Sequence, residues 1–176
     1  MSVPTSGLTS GPADAFVPAT LDHAGLAALI PHAGRMCLLD SMQAWDTGRI
    51  RCRVTGHTAP DHPLRSAGGL LAAAAIECAA QAMALHGALL ARQAGGTASP
   101  GYLASARGVT LHRLRLDDLA GPLDVVAERQ AGDARQILYA FSVSHQGEPI
   151  AEGRAAVVLD ALPPALNSTP DPVCAP

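Results

Sequence analysis

A chain of 176 residues with 48% hydrophobic side chains suits one packed domain, and a net charge of -3 without a long run of either sign excludes the electrostatic footprint of a nucleic-acid binder. All 12 basic residues are arginine, which rules out a lysine Schiff base and a phosphate-loop lysine. The four cysteines, Cys37, Cys52, Cys78 and Cys174, lack C-x-x-C spacing and indicate neither zinc nor a disulfide framework.

The first 21 residues show no basic segment followed by an apolar core, so the cytoplasm is the expected compartment. They are rich in Ser, Thr, Gly, Pro and Ala, and residues 163–176 are similar; both ends are expected to be loosely ordered around a domain spanning 22–162. A short helix or turn over Asp22–Ile30 leads into Pro31-His32, and Met36–Gln43 reads as a strand entering the core. Trp45-Asp46-Thr47-Gly48 is a turn signal. Arg49–Thr55 then alternates charged and apolar residues as a half-buried strand does, which predicts a hairpin. The following loop, Gly56–Gly69, carries His57 and His62, with Pro60 and Pro63 blocking regular pairing.

The apolar stretch Ala67–Ala91 predicts a buried central helix carrying one acid, Glu77, and one amide, Gln81, a turn apart on the same face. Its length would suit a bilayer, but its apolar content is largely alanine and Glu77 would be costly in lipid, so no membrane span is expected. Glycine and proline pairs end it at 95–101, and three or four strands are predicted to follow, the candidates being 102–114, 123–130, 136–145 and 150–159. A strand pair, a long helix and antiparallel strands make an α+β fold in which one sheet wraps one helix.

A carboxylate in apolar surroundings must neutralise or find donors, which marks Glu77 as a site residue whose pKa is expected to rise. Neutral imidazole is a suitable proton acceptor near neutral pH, which points to His57 or His62 as its companion. His32 reads as structural, and His86, His112 and His145 receive no role. Amides near Gly68, Gly69 and Leu70, at the expected helix N-terminus, would serve as oxyanion donors. Arg107, Arg113 and Arg115 form a basic group that either lies on a solvated strand face or meets an anionic partner.

Three segments resemble the hotdog-fold 3-hydroxyacyl-acyl carrier protein dehydratases and their aryl-polyene relatives. They are Leu29-Ile30-Pro31-His32 with Cys37-Leu38-Leu39-Asp40, Glu77-Cys78-Ala79-Ala80-Gln81, and Gly101-Tyr102-Leu103-Ala104-Ser105-Ala106-Arg107. The likeness implies dehydration of a 3-hydroxyacyl thioester on an acyl carrier protein to the trans-2-enoyl thioester. His57 and Glu77 would be catalytic, His62, Gly68, Gly69 and Gln81 substrate-binding, and no metal or organic cofactor would be needed. In such enzymes histidine and acid pair across a homodimer or heterodimer interface, and the exposed edge of a single sheet also predicts at least a dimer. The loop between His57 and Glu77 is longer than the family's. Two alternatives therefore stand: a hotdog acyl thioesterase, and a non-catalytic subunit of a heteromeric dehydratase.

Overall fold

The computed structural model describes residues 17–159. Asp22 caps a short helix α1 (His23–Ala27), its side chain accepting from the Gly25 amide at 2.9 Å. The predicted hairpin follows as β1 (Ser41–Trp45) and β2 (Arg49–Val54), closed where the Asp46 side chain accepts from the Gly48 and Arg49 amides. The central helix is α2 (Ala74–Gln93), and the remaining strands are β3 (Gly101–Leu111), β4 (Leu123–Gly132), β5 (Gln136–His145) and β6 (Glu148–Leu159).

All strands pair antiparallel in one sheet of order β1-β2-β4-β5-β6-β3, with β1 and β3 at the edges. Inward side chains such as Val125, Ala127, Tyr139, Phe141 and Val143 meet Ala75, Ala79, Ala82, Leu85 and Leu89 of α2 in one core. The small alanines let the helix sit close to the sheet, and this is the hotdog architecture. Although α2 is long and apolar enough to cross a bilayer, 56% of that window is buried within the domain, against β2, β4 and β5 among others. His86 of α2, fully buried, fastens helix to sheet. Its Nε2 lies 2.7 Å from the Asp46 carbonyl, its Nδ1 3.1 Å from the Tyr139 hydroxyl, and Trp45 stacks edge-on. Cys37, Cys52 and Cys78 are free and buried.

Two expected starts move furthest, those of the first strand and of the helix. The strand expected at 36–43 begins only at Ser41, because Gly34–Met36 forms a 3-10 turn and the Leu38 amide bonds to Gln81 of the helix instead of to a strand. The helix expected from Ala67 begins at Ala74. Upstream, the Ala72 amide donates to Leu114 and the Leu70 carbonyl accepts from Leu116, both at 2.9 Å, while Gly69 takes φ +93°. The loose ends expected at 1–21 and 163–176 lie outside the described residues except for 17–21. There Leu21 and Met42 exchange backbone hydrogen bonds, and the Trp45 indole donates to the Pro18 carbonyl at 2.9 Å.

Candidate active site

Glu77 stands in the first turn of α2, where the helix dipole favours negative charge. One turn on, Gln81 is fully buried and uses its whole amide: Oε1 accepts from the Leu38 amide at 2.9 Å, and Nε2 donates to the Met36 carbonyl at 2.7 Å and to Glu77 Oε1 at 3.0 Å. The chain just before β1 is thereby sewn onto the helix. That segment carries His32, whose Nε2 lies 3.1 Å from the same Glu77 oxygen.

The pair is only partly exposed, with 27% of the His32 side chain and 32% of the Glu77 side chain accessible. Glu77 is held below its ordinary pKa, chiefly by the His32 hydrogen bond and also by Gln81, with burial opposing. The expected upward shift is thus reversed: the surroundings are apolar, but two donors converge on the carboxylate. With Glu77 ionised, Nε2 of His32 carries the proton between them. The ring's other nitrogen, Nδ1, is buried and has no hydrogen-bond partner among the described residues.

His57 lies in a 3-10 turn after β2 (Gly56–Thr58) and is almost wholly buried. Its Nε2 donates to the Leu119 carbonyl at 2.9 Å, so Nδ1 bears the lone pair, and this atom too is buried and has no partner among the described residues. Burial lowers the His57 pKa against the Leu119 hydrogen bond. His62 Nδ1 accepts from the Leu64 amide at 3.2 Å. Its pKa is lowered first by burial and then by His57, Arg35 and Arg65. Within the described residues neither His57 nor His62 hydrogen-bonds or ion-pairs with Glu77; His32 does so instead.

The amides expected to hold an oxyanion are committed elsewhere. Gly68 donates to the Ser66 hydroxyl at 3.3 Å, Gly69 to the Ser66 carbonyl at 3.0 Å, and Leu70 to the carboxylate of Asp117. Asp117, 1% exposed, is gripped by Arg65 and Arg115 at 2.7 Å each, and its pKa falls to about 2, foremost through Arg115. Beside this clamp an open apolar groove of about 400 Å³ is lined by Leu71, Ala72, Ala73, Leu111 and Leu114 with His112 and Arg113. Among the described residues no three His, Cys, Asp or Glu side chains gather as metal ligands.

The sequence profile of the ApeP-like family, described as ApeP dehydratase, matches residues 24–166. The chain belongs to the ApeP-like dehydratase family. A search of curated proteins finds no match. Among solved structures, a chain of the ApeI:P dehydratase heterocomplex from Xenorhabdus doucetiae superposes with TM-score 0.70 at 21% identity, covering 77% of this chain and 91% of that one. A thioesterase from Staphylococcus aureus (TM-score 0.51, 15% identity, 67% and 90% covered) and a putative esterase from Mycobacterium tuberculosis (TM-score 0.51, 11% identity, 70% and 92% covered) share the fold.

The family profile spans the His32 segment, the His57 loop and the Glu77 helix together. In this ApeP-like chain, Glu77 and Gln81 come together as their helical spacing requires, whereas the pairing of His32 with Glu77 was missed by sequence reasoning. The available signal was chemical: a lone acid on an apolar helix needs a donor, and His32 sits in a marked segment.

Proposed function

We propose that this chain dehydrates a 3-hydroxyacyl thioester borne by an acyl carrier protein, with His32 as proton carrier and Glu77 as the group that orients and charges it. The observation that carries this reading is the 3.1 Å hydrogen bond between His32 Nε2 and Glu77, with Nδ1 left unpartnered. The arrangement follows the logic of a carboxylate-oriented imidazole: Glu77 fixes the tautomer, Nδ1 presents a lone pair, and the imidazolium that forms is stabilised by the carboxylate. Nδ1, closed to solvent in the substrate-free chain, takes the proton from the carbon beside the thioester carbonyl once the bound acyl thioester displaces the groups that cover it. The carbon–oxygen bond at position 3 then breaks, the departing hydroxyl takes the proton from Nδ1, water leaves and the ring is restored. The apolar groove beginning beside Ala73, four residues before Glu77, supports an acyl substrate.

Partnership with a second hotdog subunit belongs to the same proposal. The relative of known structure is a heterocomplex, and β3 offers eleven residues of unpaired edge.

A second reading keeps His57 as the proton acceptor in a site completed by another subunit, as the family pattern suggests. Its buried, unpartnered Nδ1 favours this, but its ring is oriented by a neutral carbonyl and its burial opposes the imidazolium. Mass spectrometry of a 3-hydroxyacyl-carrier protein incubated with the purified chain separates the two. Expected is loss of water with the thioester intact, and a fall of about 100-fold or more in kcat for both His32→Ala and Glu77→Gln. Retained turnover in His32→Ala with loss in His57→Ala would transfer the role to His57. Release of free acid would make the chain a thioesterase, and no turnover would show that the purified chain does not dehydrate without a second subunit.

A further inference from the structure

The outer face of the sheet, turned away from α2, carries one row of side chains in register across five strands: Arg49 of β2, Glu128 of β4, Ala140 of β5, Arg154 of β6 and Arg107 of β3. At one end the charges match, with Arg49 Nε 3.4 Å from the Glu128 carboxylate. At the other end, two arginines stand directly opposite each other at the open edge. Both are exposed, and neither has an ion pair among the described residues. Glu152, an acid two residues along β6, is instead hydrogen-bonded to His112 at 3.3 Å. Like charges opposed across strands are destabilising. A row that ends on such a pair at an unpaired edge is completed by whatever strand comes next.

Arg107 is the seventh of the eleven residues of β3, next to the middle of the strand. Any antiparallel self-pairing that uses most of this edge therefore brings the two copies of Arg107 within a few residues of the symmetry axis. Arg154 lies beside each copy, so four guanidinium groups gather over four adjacent strands. A second copy of this chain is the wrong electrostatic match.

We propose that Arg107 and Arg154 form a partner-selecting element on the β3 edge. They disfavour pairing with a second copy and favour a hotdog subunit whose own edge strand places carboxylates in that row. This rests on the heteromeric part of the proposed function, but not on its chemistry. Selection of this kind needs a repulsive element against the wrong partner as well as an attraction to the right one, and the arginine pair supplies both.

The test uses this chain as both partners. Wild-type protein and a mass-tagged Arg107→Glu/Arg154→Glu variant are mixed in equal amounts and read by native mass spectrometry. Expected is a mixed dimer in roughly fivefold or greater excess over its statistical share, since one charge-reversed copy supplies the missing acids. Wild-type self-association should strengthen as salt rises from about 0.05 M to about 0.5 M, because screening relieves the repulsion. In Arg107→Gln/Arg154→Gln, which also guards against misfolding of the glutamate variant, self-association should be tighter than in wild type and indifferent to salt. A statistical 1:2:1 mixture, a mixture that stays monomeric, or wild-type dimers that weaken with salt would each overturn the proposal. The readout is mass, not turnover, so failure of the catalytic reading leaves it interpretable.

Discussion

A carboxylate half-sunk in an alanine-rich helix needs donors, and Glu77 takes its two from residues with different jobs. His32 is the proton carrier in the proposed reaction, whereas Gln81 is a strut whose amide is fully used inside the fold. Replacing Gln81 by leucine keeps the volume but strands the Leu38 N–H and the Met36 carbonyl, at a cost of about 1–3 kcal/mol. It also removes one of the two donors that lower the Glu77 pKa, so the Glu77 titration should move upward. Denaturant unfolding and a carboxylate titration by NMR check both effects, and unchanged stability would show that water replaces the amide without loss. Glu77 and Gln81 were legible in the sequence because polar residues are conspicuous on an apolar helix and a four-residue spacing fixes their common face. His32 was not, because its partner is 45 residues away and their meeting depends on the 36–38 segment docking on α2.

Between β2 and α2, the chain makes its turn by an ion-pair clamp instead of by helix propagation. Arg65 and Arg115 close on Asp117, and Gly69 passes beneath the Arg115 guanidinium at a backbone angle that side chains rarely adopt. A Cβ at Gly69 would collide with the Arg115 guanidinium and come within 2.8 Å of the Asp117 carboxylate. Gly69→Ala is therefore expected to cost about 1–3 kcal/mol through strain at this positive φ, with further loss if the clamp opens. A melting temperature equal to wild type would show that the turn has another conformation of equal energy. This element also explains the misplaced helix start. Gly68-Gly69 is a local signal against helix, and beyond it Leu70 to Ala73 satisfy helix propensity, but the Leu70 carbonyl and the Ala72 amide are claimed by residues 116 and 114, a long-range competition that local composition does not encode. The strand expected at 136–145 matches β5 residue for residue, because alternating burial and flanking turns are local signals.

Across the molecule, the titratable groups fall into two sets that fail at different acidities. His57, His62 and His86 are all buried, and burial is the largest cause lowering each from the ordinary 6.5. Below pH 6.5 the unfolded chain therefore binds protons that the folded chain refuses. The stability these histidines support is present above that pH and drains away as the pH falls towards their folded-state values. Glu77 and Asp117 titrate lower: their contributions are present above the ordinary 4.5 and 3.8 and are lost as acid protonates them in the fold, Asp117 only near about 2. Acid unfolding should therefore begin with the histidines, well before the Arg65–Asp117–Arg115 clamp is discharged. His86 is the cleanest probe, since it packs against Trp45 and Tyr139 and is remote in role from proton transfer. Melting temperatures for wild type and His86→Gln should be read from pH 7.5 down to about pH 5, a window set by the histidine values. The variant should start lower, because Tyr139 and the Asp46 carbonyl lose their partner, and should then fall less steeply as the pH drops. Parallel curves would show that His86 takes up its proton equally in the folded and unfolded chains, and the first stage of acid sensitivity would then belong to His57 and His62.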